Sequence, residues 1–580
     1  MNLQQAIHWL EQGRGAAILK WAAAIAAMLA LGGTVAFKQF HGPRSEETLR
    51  QADLGRAVAS GQGFTSSINY PQAHAILEKQ GRLFDPDERV PEMYHAPGYA
   101  LVIAATLAVL PERWIGGAFE NVPEPPNGFG ADYILLGLNL ILMAVAVTQS
   151  WLLGTRLFDR RVGWLTGMAV FLSTAIWGHV VAVDGTLWSM VLLLGLFQAL
   201  VAAERRLESD QSAMVCWGLA GLAAGLLFLT DYPYGVLVLI VGGHAFWHGR
   251  KAGAVLALGV ALVVATPWLI RNVSETGNPV GLAAYDLAMR SGDTTADPVD
   301  VRNRLSAEAP NLSLNKMGNK VLTAVQITLR EKLWAGGGLL MSAFFVTGWI
   351  YHFKRGATNR LRILAALALV LMVLAQGLMN SGEGERVPTA VGAPLIILFG
   401  AGFFMVLVTS SPTLSRWPSL AMGAALLLQG LPLIHDVMEP RRIHFSYPPY
   451  YPGFFKALGD QMDDDGPRFA GWMADVPAGA AWYSGQRVWS QPRTLRDFYA
   501  VHVEQRIVAL VLTPETLDRP FFAELVSRPE GQSSFGEWGK IYTGLITGRM
   551  PAGFPLTDSR SLADNFHLII DGGWVRARGK

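Results

Sequence analysis

Along this chain, long apolar runs alternate with short polar joints, and most acidic residues fall in those joints or in two larger polar stretches. A helix needs about 20 largely apolar residues to cross a bilayer. Eleven runs qualify, roughly 18–37, 131–154, 162–182, 185–203, 214–230, 233–248, 253–269, 335–352, 361–380, 389–409 and 419–436. The pattern predicts a polytopic α-helical membrane protein with about 11 spans. One further run, 97–111, is bounded by Pro97 and Pro111 and is short for a full crossing. It reads as a re-entrant or juxtamembrane helix on the outer face, with a twelfth span as the alternative.

The basic joints set the orientation. Arg156, Arg160 and Arg161, then Arg205 and Arg206, Arg250 and Lys251, Lys354, Arg355, Arg360 and Arg362, and finally Arg416 lie an even number of crossings apart. All therefore fit on the cytoplasmic side, together with Arg14 and Lys20. The outer side then receives 38–130, 270–334, 381–388 and the tail from about 437, with Asp184 and Asp231 at its membrane surface. Two regions result: a transmembrane domain, 1–436, that includes outer loops 38–130 and 270–334, and a C-terminal extracytoplasmic domain, 437–580.

In the first outer loop, Leu49, Ala52, Arg56, Ala57 and Ser60 fit a short helix that Gly61 and Gly63 terminate. Val122 to Gly128, with three prolines, reads as a fixed loop. The span 317–333 has helical spacing. In the tail, the short apolar runs Ala480–Tyr483, Ile507–Leu512 and Phe566–Ile570 look like buried strands. With helices expected over 495–505 and 517–527, they predict a small soluble α/β domain. Its lead-in, Phe445 to Phe455, reads as a stiff connector.

Composition narrows the function classes. Hydrophobic residues make up 51% of the chain, charged residues only 16%, and mean hydropathy is +0.29. The 18 Trp suit membrane interfaces. A formal charge of +2, with no long basic tract, gives no sign of a nucleic-acid partner. The single Cys216 excludes an intrachain disulfide and a cysteine-built metal site. No GxGxxG or GxxxxGK[ST] pattern suggests a nucleotide. The first apolar run lacks a clear small-residue cleavage pattern, so a cleaved signal peptide is not expected.

The unusual polar chemistry faces outward. Glu46 and Glu47 open the loop helix ahead of Gly61-Gln62-Gly63-Phe64; on residues alone they equally favour the positive end of a surface helix. His95 precedes Ala96-Pro97-Gly98-Tyr99, Asp184 begins a span, and Arg271 and Asn272 end one. Asp231, with Tyr232-Pro233-Tyr234, stands at another span end, where a capping role is equally open. An intramembrane or interfacial acid is by default functional or paired.

These features resemble the bacterial GT-C glycosyltransferases, the lipid-phosphosugar-dependent membrane enzymes related to protein O-mannosyltransferases and to the aminoarabinose transferase of lipid A. The resemblance covers the first 280 or so residues best. It implies a GT-C-like transmembrane domain and transfer of a sugar from a polyprenyl-phosphate donor to an envelope acceptor (protein, lipid or glycan) at the outer face, by inverting direct displacement. Glu47 takes the catalytic-acid register, with Glu46 beside it and Asp184 bordering the cavity. The family norm there is Asp-Glu, and the Glu-Glu of this chain puts that register in doubt, with Asp53 as fallback. Arg271 and His95 would hold the donor phosphate, and Asp53, Asn272, Asp231 and Tyr99 would contact substrate. No cofactor is certain; a divalent cation between Glu47 and Asp184 is an option on a thin signal. The implied setting is the bacterial inner membrane, among membrane lipids, with the C-terminal domain on the periplasmic side. A transporter and a catalytically inactive membrane scaffold remain alternatives.

Overall fold

The structure is a computed structural model that describes residues 14–82, 85, 88–120, 128–288, 301–308, 314–379, 386–438, 452–465, 470–516, 537–562 and 566–573. Six of its helices are long and apolar enough to cross a membrane: Gly130–Leu157, Thr186–Glu208, Lys251–Thr276, Gly356–Met379, Pro388–Ser410 and Pro418–Met438. Two bent pairs would raise that number to eight. One is Arg160–Phe171 with Thr174–Ala182, bent by 50°, and the other is Gly98–Val109 with Glu112–Glu120, bent by 113°. The remaining apolar runs form shorter helices, Ile25–Gln39, Met214–Thr230, Tyr232–Trp247 and Gly338–Ile350. Each predicted run therefore lies on helix, while length and composition alone support six to eight crossings.

The helices approach through small residues, as expected where lipid removes the hydrophobic drive to associate. Gly221 and Gly225 of Met214–Thr230 face Ala257 and Ala261 of Lys251–Thr276, and a Cβ on Gly221 would lie 2.3 Å from the Ala257 carbonyl oxygen. Backbone cannot retreat as a side-chain tip can. Gly221→Ala is therefore expected to destabilise the protein by about 1–3 kcal/mol, read as a lower thermal-unfolding midpoint in detergent. Gly242→Ala, where an added Cβ meets nothing within 4 Å, is the neutral control.

The strands form a two-stranded ladder, β1 (Thr65–Ser66) with β3 (Val90–Pro91), and a six-stranded sheet ordered β2-β5-β4-β6-β8-β7. Here β2 is Ile68–Asn69, β4 Gly471–Ala474, β5 Val488–Ser490, β6 Ile507–Leu512, β7 Asp558–Ser561 and β8 His567–Ile570. Strands β2, β5, β4 and β6 are parallel, and β8 and β7 continue antiparallel. The sheet thus borrows β2 from the first outer loop, which ties the two regions together. Along β6 the faces alternate from Ala509 onward, after a register shift that skips Val508. Ile507, Leu510 and Leu512 join a separate core with Trp489, Phe498 and Trp538, whereas Val508, Ala509 and Val511 pack into the core shared with the membrane helices.

One local expectation changes, and one helical expectation gains detail. Ala480–Tyr483 lies in a helix, Pro477–Ser484, started by Pro477 and ended by Gly485 at φ +73°. A four-residue apolar run fits strand and buried helix alike, so the flanking Pro and Gly were the better guide. The region 317–333 is Leu314–Ile327 followed by a π-helical turn, Thr328–Lys332. The expected helix 517–527, the loop 122–127 and the connector up to residue 451 lie outside the described residues.

Candidate functional site

Three helices are locked together by glycines. Ser45 caps the loop helix Glu46–Ala59 by accepting from the Thr48 backbone N–H at 3.2 Å. Gly55 of this helix lies so close to Gly98–Val109 that a Cβ would sit 2.9 Å from the Ala100 oxygen. Gly98 in turn abuts the end of Met214–Thr230, 2.7 Å from the Leu229 oxygen by the same measure. Glu47, His95 and Asp231 are thereby brought to one region. Gly61 (φ +76°) and Gly63 (φ +71°) follow the loop helix in the left-handed conformation that glycine tolerates.

Glu47 is held on two sides. Arg50, one turn along the helix, donates to its Oε2 at 3.0 Å, and His95 Nε2 lies 3.1 Å from the same oxygen. The other ring nitrogen, Nδ1, lies 2.9 Å from Glu92 Oε1 and donates there, because an ionised carboxylate only accepts. Nε2 faces both the Arg50 guanidinium, at 2.6 Å, and Glu47. Burial would raise the Glu47 carboxyl, but the charges of His95, Arg50 and Arg386 hold it well below the usual range. Glu92 is brought to about 2 in the same way: against its burial stand His95, Arg50 and the Tyr94 N–H.

Asp184 and Asp231 complete the region. Asp184 follows Val183, whose left-handed φ of +53° is a strained conformation for a β-branched residue. Tyr99 stabilises that turn by donating to the Val183 carbonyl at 2.7 Å, and Asn139 donates to the Tyr99 hydroxyl at 2.9 Å. His179 meets Asp184 Oδ2 at 2.7 Å, the Thr186 N–H meets Oδ1 at 2.9 Å, and Arg386 stands 3.8 Å away. These outweigh burial and lower the Asp184 pKa. Asp231 differs. Its burial, with the neighbouring charge of Glu47 and against Arg386 and His95, pushes the carboxyl up to about 6. Asp184 and Asp231, which share Arg386, thus titrate apart.

The other sequence candidates make structural contacts. Glu46 accepts from the Ala478 and Gly479 N–H groups at 2.7 and 3.0 Å, at the N-terminus of Pro477–Ser484, where backbone donors and dipole favour an anion. Asp53 accepts from Ser67 N–H and Oγ, both at 2.8 Å, and pairs with Arg89 at 3.1 Å. Arg271 donates to the carbonyls of Glu92 and Phe64 and stacks on Trp268, while Asn272 donates to the Pro279 carbonyl and the Tyr232 hydroxyl. Arg50, Glu92, His179 and Arg386 escaped the sequence reading. Only Arg50 carried a local signal, lying three residues after Glu47 on the same helical face.

At the opposite end of the helix that begins beside Asp184, Glu204, His244 and His248 form a candidate divalent-cation site. Their donor atoms all lie within 4.8 Å of one another. The helix Thr186–Glu208 separates this group from Glu47 and Asp184, where the sequence suggested a cation. Arg360 already donates to Glu204 through Nε at 2.9 Å and Nη2 at 2.5 Å, so a cation would share that carboxylate.

No family model matches this chain, and no curated protein does. Solved structures do match. ArnT from Cupriavidus metallidurans, bound to undecaprenyl phosphate, aligns at a TM-score of 0.52 with 12% identity, over 95% of this chain and 98% of that one. The Archaeoglobus fulgidus oligosaccharyltransferase, in complex with Zn and sulfate, aligns at 0.54 with 12% identity, over 86% of this chain and 69% of that one. AglB, the archaeal oligosaccharyltransferase from the same organism, in complex with an inhibitory peptide and a dolichol-phosphate, aligns at 0.50 with 11% identity, over 87% and 71%. The likeness is one of fold: this chain and these three structures share an architecture.

Proposed function

We propose that this chain is a membrane glycosyltransferase that moves a sugar from a polyprenyl-phosphate donor to an acceptor at the outer face. The observation that carries this reading is the meeting of Glu47, His95, Asp184, Asp231 and Arg386, from separate segments, at the ends of apolar helices. A lipid-borne phosphate sugar needs such a place: hydrocarbon for its tail, cations for its phosphate, acids for the acceptor. The undecaprenyl phosphate and dolichol-phosphate bound by ArnT and AglB add support. The topology we favour has eleven crossings, with Gly98–Val109 as an outer re-entrant helix, since its 113° bend suits a segment that does not cross.

In the reaction, the acceptor hydroxyl oxygen forms a bond to the sugar C1 as the C1–O bond to phosphate breaks, with inversion. The proton goes to Asp231, whose carboxyl near 6 suits a base at neutral pH better than the low-pKa Glu47. Glu47, held ionised by Arg50 and His95, aligns the hydroxyl and faces the positive charge growing at C1. Arg386 receives the leaving phosphate. Arg271, donating to the Glu92 and Phe64 carbonyls, positions the segment that carries His95 rather than the phosphate itself. Glu46 docks the tail.

Purified protein in proteoliposomes, supplied with radiolabelled polyprenyl-phosphate monosaccharides and envelope extract, tests the reading. Loss of label from the lipid fraction to an acceptor is expected. Because Asp231 accepts a proton only when ionised, kcat/KM should rise with pH and level off above about 6. Asp231→Asn should lose that limb and most of the rate. A flat profile across pH 5–7 in the wild type would remove Asp231 from the role.

A further inference from the structure

Beyond the groups around Glu47 and Asp231, the structure carries a second cationic element. Arg302 is only 7% exposed, yet among the described residues it has neither a carboxylate partner nor a hydrogen bond on Nε. Its guanidinium carbon stands 4.7 Å from the Tyr94 ring centroid and 6.0 Å from that of Tyr70. Arg50, 3% exposed and also without a partner on Nε, stands 5.4 Å from the same Tyr70 ring. Two buried arginines thus share one aromatic wall. Glu47 and His95 meet only the Nη1 edge of Arg50. A buried charge without a counter-ion is costly, and the planar guanidinium fork matches phosphate or carboxylate oxygens in pairs.

The origin of Arg302 separates it from the membrane-side cations. The segment 301–308 is fastened to the C-terminal domain: Asn303 meets Ser490 at 2.7 Å and accepts from the Arg493 N–H at 2.8 Å, and the Leu305 N–H reaches Asp497 at 3.3 Å. Arg386, by contrast, comes from another segment and stands among Asp184, Glu47, Asp231 and Ser45. In an in-line displacement the acceptor enters from the face opposite the leaving phosphate, and Arg50 ties Arg302 to the Glu47 side. The geometry points to an oxyanion subsite, built of Arg302 and the free edge of Arg50 against Tyr70 and Tyr94, that holds an acidic group (phosphate or carboxylate) of the acceptor. This deepens the transferase reading and rests on it for the word acceptor.

The test is equilibrium binding to the full chain in nanodiscs, with glucose 1-phosphate and glucose as acceptor-type probes and geranyl phosphate as the donor-type probe. The wild type is expected to prefer glucose 1-phosphate over glucose by at least tenfold. Arg302→Met should abolish that preference, and Arg302→Lys, which keeps the charge but loses the fork, should retain part of it. Geranyl phosphate affinity should be unchanged in both. An unaltered preference in both variants would overturn the subsite. Loss of geranyl phosphate affinity instead would reassign Arg302 to the donor phosphate and overturn the acceptor assignment. Melting of each variant shows whether it is folded, and Arg302→Lys carries the test should the Met variant fail to fold. No transfer step enters these titrations, so failure of the transferase reading would show in the label-transfer assay and not here.

Discussion

Glu47→Gln is expected to lower kcat for sugar transfer by about a hundredfold or more, the scale set by removing one charge from the groups that face a transition state. The substitution keeps the size and one acceptor oxygen but removes the charge that Arg50 and His95 converge on. With the anion gone, Arg50 retains His95 as a neighbour, so the fold should survive and the thermal midpoint should move little. The loss should fall on kcat more than on KM, because the charge acts as C1 becomes positive. Label transfer by the variant, beside a melting curve, checks both parts. Transfer at the wild-type rate would sink the mechanism proposed for this residue. A wild-type protein with no transfer at all, yet with normal melting, would bring the scaffold reading forward.

The largest effect on stability should come from the other end of the molecule. Glu204→Ala is expected to cost about 3 kcal/mol, the low end for breaking a buried ion pair, since Arg360 keeps partial access to solvent. Glu204 is 2% exposed, and with its own helix the contacts it makes join three segments. His244 and His248 stand 3.2 and 3.1 Å from Oε1, and Arg360 binds both oxygens. Trp217 donates to the other nitrogen of His244 at 3.0 Å, adding a fourth helix. Removing the carboxylate leaves the Arg360 guanidinium without its counter-ion. Thermal unfolding in detergent should show a clear drop, while Glu208→Ala, one turn on, should not. Zinc added to the wild type reads the candidate cation site separately. Stabilisation by zinc that is lost in Glu204→Ala would mean that the ion can share the carboxylate with Arg360.

Much of the membrane fold was legible in the chain because hydrophobic length is a local property. Each apolar run lies on a helix, and the loop helix ends where Ser60, Gly61 and Gly63 predicted. Ile507–Leu512 read as a buried strand and is one, flanked by strands on both sides. Ala480–Tyr483 misled because four apolar residues carry too little periodicity to separate strand from helix. The borrowing of β2 by the tail sheet left no mark at all. Two residues pairing with a strand more than 400 positions away are set by docking and not by local preference.

The site divides along the same line. Sequence placed Glu46, Glu47, His95, Asp184, Asp231 and Arg271 on the outer side, because charge cannot stay in hydrocarbon without a partner and the basic joints fix the orientation. It could not assign partners. Glu46 and Glu47 are neighbours in the chain, yet successive helical residues point about 100° apart. One therefore meets the N-terminus of Pro477–Ser484 and the other meets Arg50 and His95. Arg386 and Arg302 reach Asp184 and Tyr94 from segments with no distinguishing pattern. What the chain determined by itself was which segments form apolar helices and where the polar residues fall between them. Which of those residues meet was decided by tertiary packing, through close contacts such as Gly55 on Ala100 and Gly98 on Leu229, because such contacts depend on distance in space and not on position along the chain.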